Sequence, residues 1–161
     1  MSDRLNHECG LALIRLLKPL EFYQKKYGSV SYGLNKLYLM LEKQHNRGQD
    51  GAGFASVKLN MKPGQRFMHR ERSANQNPIQ EIFKLANENL IKYTKEYSKF
   101  KGDIVNLKKN VPHVSELFLG HVRYGTFGQN SKDAVHPFLR QNNWMHSCLL
   151  YTSPSPRDNR W

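Results

Sequence analysis

Cysteine is scarce in this sequence, and its scarcity argues against a fold held together by disulfides. The 161 residues include only two cysteines, Cys9 and Cys148, and a reducing compartment disfavours a structural disulfide between them. No stretch approaches the roughly 18 apolar residues of a membrane-spanning helix, and the N-terminal residues MSDRLNHE lack the basic-then-apolar layout of a secretory signal. The sequence therefore predicts a cytoplasmic protein with free thiols and no membrane partner.

Acidic residues are also few, since 13 Asp and Glu face 25 Lys and Arg and leave a formal net charge of +12. A positive field of this size attracts polyanions, so a basic, non-enzymatic protein that binds RNA or phosphate is one alternative. The seven histidines and two cysteines show neither CxxC nor HExxH spacing, which argues against a zinc site. The stretch GQDGAG matches neither a dinucleotide-binding fingerprint nor a P-loop.

Apolar periodicity predicts strands that alternate with amphipathic helices. CGLALIRLL is a buried strand that ends before Pro19, and FASVKL and the weaker QRFMHRER are two further strands. A helix within YGLNKLYLMLEKQHNR ends at Gly48, and its apolar positions are spaced to face a core: Leu34, Leu37, Tyr38 and Leu41.

The second half of the chain continues this pattern. NPIQEIFKLANENLIKYTKEYSKF predicts a long helix with Asn77 as its N-cap and Pro78 in its first turn. ELFLGHVRYGTFG predicts a strand in which His121 and Arg123 lie on the same face. Residues 147–161 carry Ser, Pro and Arg without periodicity, which predicts a disordered tail. These residues also resemble translated sequencing adapters, which implies that the tail is not native to the protein.

Three segments, CGLALI, QHNRGQDGAG and GHVRYGTFG, occur in this order and resemble the glutaminase domain of class II glutamine amidotransferases. The likeness runs from about Glu8 to Trp144. Gln49 and Asp50 match the members that use phosphoribosyl pyrophosphate; the members that make glucosamine phosphate usually carry RGYDSAG and are a second alternative. The resemblance implies an α+β fold, the four-layer αββα sandwich of N-terminal-nucleophile hydrolases, incomplete at its C-terminal end.

The resemblance also implies a role for several residues. Cys9 would be the catalytic nucleophile that attacks the side-chain amide of glutamine, after removal of residues 1–8 as a propeptide. Its freed α-amine, with a pKa of about 7.7 to 8.0, can accept the thiol proton near neutral pH. Gly10 would let the substrate approach, and Arg123 would bind the α-carboxylate of glutamine with Thr126 beside it. Arg47 would shape the same pocket, although Asn46 is inserted between His45 and Arg47 relative to the usual QHRGQD.

The resemblance finally sets expectations for the rest of the protein. Residues 9–146 would be a partial glutaminase domain that needs no cofactor. A missing phosphoribosyltransferase domain would bind magnesium and phosphoribosyl pyrophosphate in a homo-oligomer, with no nucleic acid partner. The asparagine–glycine pair of the oxyanion hole and an aspartate for the substrate amino group have no match before the tail, so this chain is expected to be inactive alone.

Overall fold

The computed structural model describes residues 8–96, 103–125, 131–141 and 147–150. The strands, in chain order, are β1 Gly10–Arg15, β2 Gly51–Val57, β3 Met68–Ser73, β4 Leu117–Arg123, β5 Phe138–Gln141 and β6 Ser147–Leu150. The helices are α1 Leu20–Tyr27, α2 Tyr32–Lys43, α3 Pro78–Glu96 and α4 Ile104–Asn110, with short 3-10 turns at His45–Arg47 and Lys132–Ala134. The predicted α+β class is confirmed.

Strands β1 to β4 form one antiparallel sheet in the order β1-β4-β2-β3, with four helices packed on it. Strand β4 is central: Gly10 of β1 pairs with Val122, and Gly51 of β2 pairs with Arg123. Because both neighbours run antiparallel to β4, their first residues lie beside its last. The starts of β1 and β2 and the end of β4 therefore meet at one end of the sheet.

The main core lies between this sheet and helices α2 and α3. The apolar stripe predicted for α2 is confirmed, since Leu34, Leu37 and Leu41 are buried and Tyr38 packs against the same cluster. Their counterparts on α3 and on the strands are Ile79, Ile82, Phe83, Ala86, Ala12, Ala52, Phe54, Phe118 and Val122. Each fully buried large side chain contributes about 1.5 to 3 kcal/mol by leaving water, so this layer fixes the register of the sheet.

The opposite face of the sheet is partly covered by the segment that leads into β5. Gly51 and Gly53 point to this face, because side chains alternate along a strand and Ala52 and Phe54 face the core. A Cβ atom on Gly51 would lie 2.7 Å from Val135 Cγ2, and Arg72 Nη1 donates to the Val135 carbonyl oxygen at 3.0 Å. This segment therefore covers part of the sheet face that lies away from α2 and α3.

The prediction of a disordered tail over residues 147–161 is wrong for its first four residues. Ser147–Leu150 form β6, which pairs antiparallel with β5 so that Phe138 lies opposite Leu150. The backbone of β5 offers a free edge, and a short apolar run satisfies its own N–H and C=O groups by pairing there. Residues 151–161 lie outside the described residues. Within the described ranges, none of the helices is long and apolar enough to cross a membrane.

Candidate active site

The three segments that carry the family resemblance converge at one end of the sheet. CGLALI provides the start of β1, QHNRGQDGAG leads from α2 into β2, and GHVRYGTFG covers the end of β4. Their contact follows from the sheet order, because β4 pairs with both β1 and β2. Segments that are far apart in sequence thus bring Cys9, Asp50 and Arg123 to neighbouring positions.

Cys9 precedes β1 directly, and its side chain is exposed. The Tyr124 N–H donates to Cys9 Sγ at 3.4 Å, and the thiol donates to the Tyr124 carbonyl oxygen at 3.8 Å. Tyr124 directly follows Arg123, so the thiol lies beside the end of β4. An accessible thiol held by backbone groups can act as a nucleophile once a base removes its proton.

Arg123 is buried, with 7 % of its surface exposed, and it lies on the face of β4 that also carries His121, as predicted. His121 is buried next to His136, and their ring centroids are 5.1 Å apart. Burial, together with the positive charges of His136 and Arg123, lowers the pKa of His121 from 6.5 to about 4. Its imidazole is therefore neutral at pH 7, and Arg123 provides the positive charge that can attract a carboxylate.

Gly10 permits close packing, but the group that approaches it belongs to the protein. A Cβ atom at this position would overlap the Gln44 side-chain oxygen and lie 2.7 Å from Val122 Cγ2. Gln44 Nε2 also donates to the Leu11 carbonyl oxygen at 3.2 Å. The space beside Gly10 thus accommodates Gln44, which ties the end of α2 to β1 next to Cys9.

Asp50 is a site residue whose structural role the sequence reasoning missed. Its backbone N–H donates to the Arg123 carbonyl oxygen at 3.0 Å, and its Oδ2 accepts the Gly125 N–H at 2.7 Å. Asp50 therefore joins the 47–51 loop to the turn that follows Arg123. Its place within the RGQD motif is the sequence signal for this role.

The two remaining predicted residues are placed less directly. Arg47 is exposed in the 3-10 turn, and its N–H donates to the Gln44 carbonyl oxygen at 2.8 Å. Within the described residues its guanidinium makes no hydrogen bond or ion pair, and its role in the pocket stays a prediction. Asn46, the inserted residue, is accommodated in this turn. Thr126 lies outside the described residues.

A groove of about 820 Å³ opens on the other side of the 47–51 loop. Gln49 and Asp50 form one wall, and the start of α3 forms the other with Gln80 and Glu81. Asn75 Nδ2 donates to both carboxylate oxygens of Glu81, at 2.8 and 2.9 Å, which fixes this polar wall. Cys9 and Arg123 do not line the groove, so it adjoins the candidate site without containing its nucleophile.

Within the described ranges, no group of three His, Cys, Asp or Glu side chains is arranged to hold a metal ion. The described residues at this end of the sheet include the Cys9 thiol and the buried Arg123 guanidinium. Comparison with protein-family models, curated proteins and solved structures finds no significant match to this chain.

Proposed function

We propose that this chain carries part of the glutaminase domain of an amidophosphoribosyltransferase, a domain that in complete form hydrolyses glutamine to glutamate and ammonia. The observation that carries the proposal is the position of the Cys9 thiol, 3.4 Å from the backbone nitrogen of Tyr124, next to the buried Arg123. A glutamine whose α-carboxylate pairs with Arg123 would extend along the end of β4 towards this thiol.

The proposed reaction needs the α-amine of Cys9 as its base. In the 161-residue chain, this nitrogen forms the peptide bond to Glu8. Cleavage before Cys9 would free the amine, which takes the thiol proton while Sγ attacks the side-chain carbonyl carbon of glutamine. The C–N bond then breaks, the amine proton leaves with ammonia, and water releases glutamate from the thioester.

The remaining residues have supporting roles in this proposal. The Tyr124 N–H is close enough to Sγ to stabilise thiolate character, and Asp50 positions the turn that carries Tyr124. Gly10 allows Gln44 to pack against β1 beside the nucleophile. Arg47 and Thr126 stay proposed substrate-binding residues on the strength of the sequence resemblance.

The proposal extends to the αββα sandwich and to the complete enzyme. The segment that leads into β5 lies on the sheet face opposite α2 and α3, which supports a second β layer there. Leu11 and Leu13 on the same face are 46 % and 62 % exposed, so this face has apolar surface for such a layer. In the complete enzyme the ammonia would be transferred to phosphoribosyl pyrophosphate with magnesium, in the first step of de novo purine synthesis.

The test is covalent labelling of the chain that begins at Cys9 by an electrophilic glutamine analogue, read by intact mass. Cys148→Ala removes the second thiol, so one label per chain reports Cys9 alone. We expect labelling that glutamine suppresses and asparagine does not, and we expect none in Cys9→Ser. Iodoacetamide, which needs no binding pocket, is the matched reagent for thiol accessibility.

Arg123→Lys separates the binding role of Arg123 from a structural one. Lysine keeps the charge but loses the two-pronged contact with a carboxylate, so labelling by the glutamine analogue should fall about tenfold or more while iodoacetamide labelling is unchanged. The proposal would be overturned if wild type and Arg123→Lys reacted at the same rate with the glutamine analogue as well as with iodoacetamide, and if glutamine gave no protection.

A further inference from the structure

A second groove lies at the end of β1 opposite to Cys9. It has a volume of about 720 Å³ and is formed by the β1–α1 connection, the β2–β3 loop and α4. Arg15, the last residue of β1, lines it. β1 has six residues, so at about 3.3 Å per residue it separates this groove from the candidate active site by about 20 Å. The groove is therefore a separate surface.

The charge of this groove is strongly positive. Five cations line it: Arg15, Lys18, Lys62, Lys108 and Lys109. Its two described acidic residues are Glu21 and Glu116, and the charge of Glu116 is neutralised by a partner within the protein. One Glu116 carboxylate oxygen pairs with Lys108 Nζ, and the other accepts the Leu59 N–H at 3.0 Å.

The other four cations keep their charge available for a ligand. Within the described residues, Arg15, Lys18, Lys62 and Lys109 make no salt bridge. Of the described acidic residues in the lining, Glu116 is paired with Lys108 and Glu21 is left to oppose these four cations. A groove of this shape concentrates a positive potential, which attracts anionic partners and raises their association rate.

Apolar side chains flank the same groove. Leu17 is 80 % exposed and Val105 is 71 % exposed, the two highest values among the large hydrophobic residues of the described part of the chain. Both line the groove, Leu17 on the β1–α1 connection and Val105 on α4. Exposed apolar residues that converge on one concave surface indicate an interaction site.

We infer that this groove binds an extended peptide segment of a partner protein in which acidic and apolar side chains alternate. Acidic side chains would pair with Lys18, Lys62 and Lys109, and apolar ones would cover Leu17 and Val105. None of the described residues that line the groove is aromatic, whereas proteins that bind single-stranded nucleic acids stack the bases on aromatic side chains. Its concave shape favours a narrow chain over a flat bilayer surface. This inference is independent of the proposed glutaminase activity.

The test is fluorescence anisotropy with a short fluorescein-labelled peptide in which glutamate and leucine alternate, titrated with the full 161-residue chain. The double variant Lys18→Glu with Lys62→Glu should weaken binding about tenfold or more. The matched control, Lys43→Glu with Lys92→Glu, changes the net charge equally at exposed positions outside the groove and should change the affinity by less than about twofold.

A second pair of variants tests whether the apolar side chains of the groove contribute to peptide binding. Leu17→Ser should weaken the peptide several-fold, whereas Leu39→Ser, at an exposed position on α2, should not. A peptide with glutamine in place of glutamate should lose affinity, as should the original peptide at high salt.

Three outcomes would overturn the inference. They are no peptide binding up to about 1 mM, equal effects of the groove and control variants, and groove-dependent binding of oligouridine or phosphatidylserine vesicles that is tighter than binding of the peptide. The last result would assign the groove to nucleic acid or to a membrane surface instead.

Discussion

Gly48→Ala tests the contact that holds the 47–51 loop against β4. Gly48 has φ −150° and ψ 113°, an extended backbone that any residue adopts, so the cost of the substitution is purely steric. The new Cβ would lie 2.7 Å from Arg123 C and 2.8 Å from Arg123 O. These atoms belong to the backbone of the central strand, and no rotamer change can move them away.

The size of the effect follows from this overlap. Ordinary contacts of a Cβ atom begin near 3.4 Å, so the loop or the strand must shift by about 0.7 Å. The same shift lengthens the hydrogen bond from Asp50 N to Arg123 O, now 3.0 Å, beyond a bonding distance. Overpacking together with one lost hydrogen bond should cost about 2 to 3 kcal/mol and lower Tm by roughly 4 to 12 °C.

Urea unfolding and hydrogen exchange of the Asp50 amide measure the two parts of this effect. Gly28→Ala is the matched control, because its φ of +71° imposes a backbone cost while nothing lies within 4 Å of the new Cβ. It should lower stability by about 1 kcal/mol without changing exchange at Asp50. A Gly48→Ala variant with wild-type stability and slow exchange at Asp50 would refute the packing described above.

Three further predictions concern charge. Asp50→Ala removes the 2.7 Å acceptor of the Gly125 N–H, so exchange of the Gly125 amide should accelerate about tenfold or more by NMR; unchanged exchange would contradict this. Burial lowers the pKa of His121 to about 4. Below about pH 6.5 the His121 imidazole is therefore protonated in the unfolded chain, whereas in the folded chain it stays neutral until the pH approaches 4. The free energy of unfolding is therefore unaffected by His121 above pH 6.5 and falls by on the order of 3 kcal/mol between pH 6.5 and pH 4. The urea midpoint of His121→Gln should depend less on pH over this range than that of the wild type. Burial, followed by Lys108 and Arg66, lowers the pKa of Lys58 to about 8, so its charged form is disfavoured in the folded state at pH 7. Lys58→Met should therefore raise the free energy of unfolding by on the order of 3 kcal/mol at pH 7, with a gain that disappears towards pH 10.5, and a gain independent of pH would argue against this cause.

Most elements with strong periodicity could be predicted from the sequence. The stripe Leu34, Leu37 and Leu41 predicted α2, and the shared face of His121 and Arg123 followed from the two-residue period of a strand. Helices α1 and α4 were missed because they are short, at 8 and 7 residues. Windows of this length contain too few apolar repeats to separate a helix from a connecting segment.

The geometry of the candidate site was harder to predict than its members. Cys9 and Arg123 were identified through motifs, but their proximity depends on β4 lying between β1 and β2, a pairing that joins residues far apart in the chain. Local propensity carries no information on that order. The same limit explains Gln44 and Asp50, whose contacts with Leu11 and Gly125 cross between segments.

The most direct test of the central claim compares the chain that begins at Cys9 with one that begins at Glu8, both with Cys148→Ala. The two proteins differ by one residue, which leaves the fold and the thiol in place but converts the α-amine of Cys9 into an amide. The measurement is the rate of Cys9 labelling by the electrophilic glutamine analogue as a function of pH. Because the free amine acts as the base, the chain that begins at Cys9 should react about a hundredfold or more faster, with a rate that rises through a pKa of about 7.7 to 8.0. Equal rates and equal pH profiles for the two chains would contradict the assignment of Cys9 as an N-terminal nucleophile.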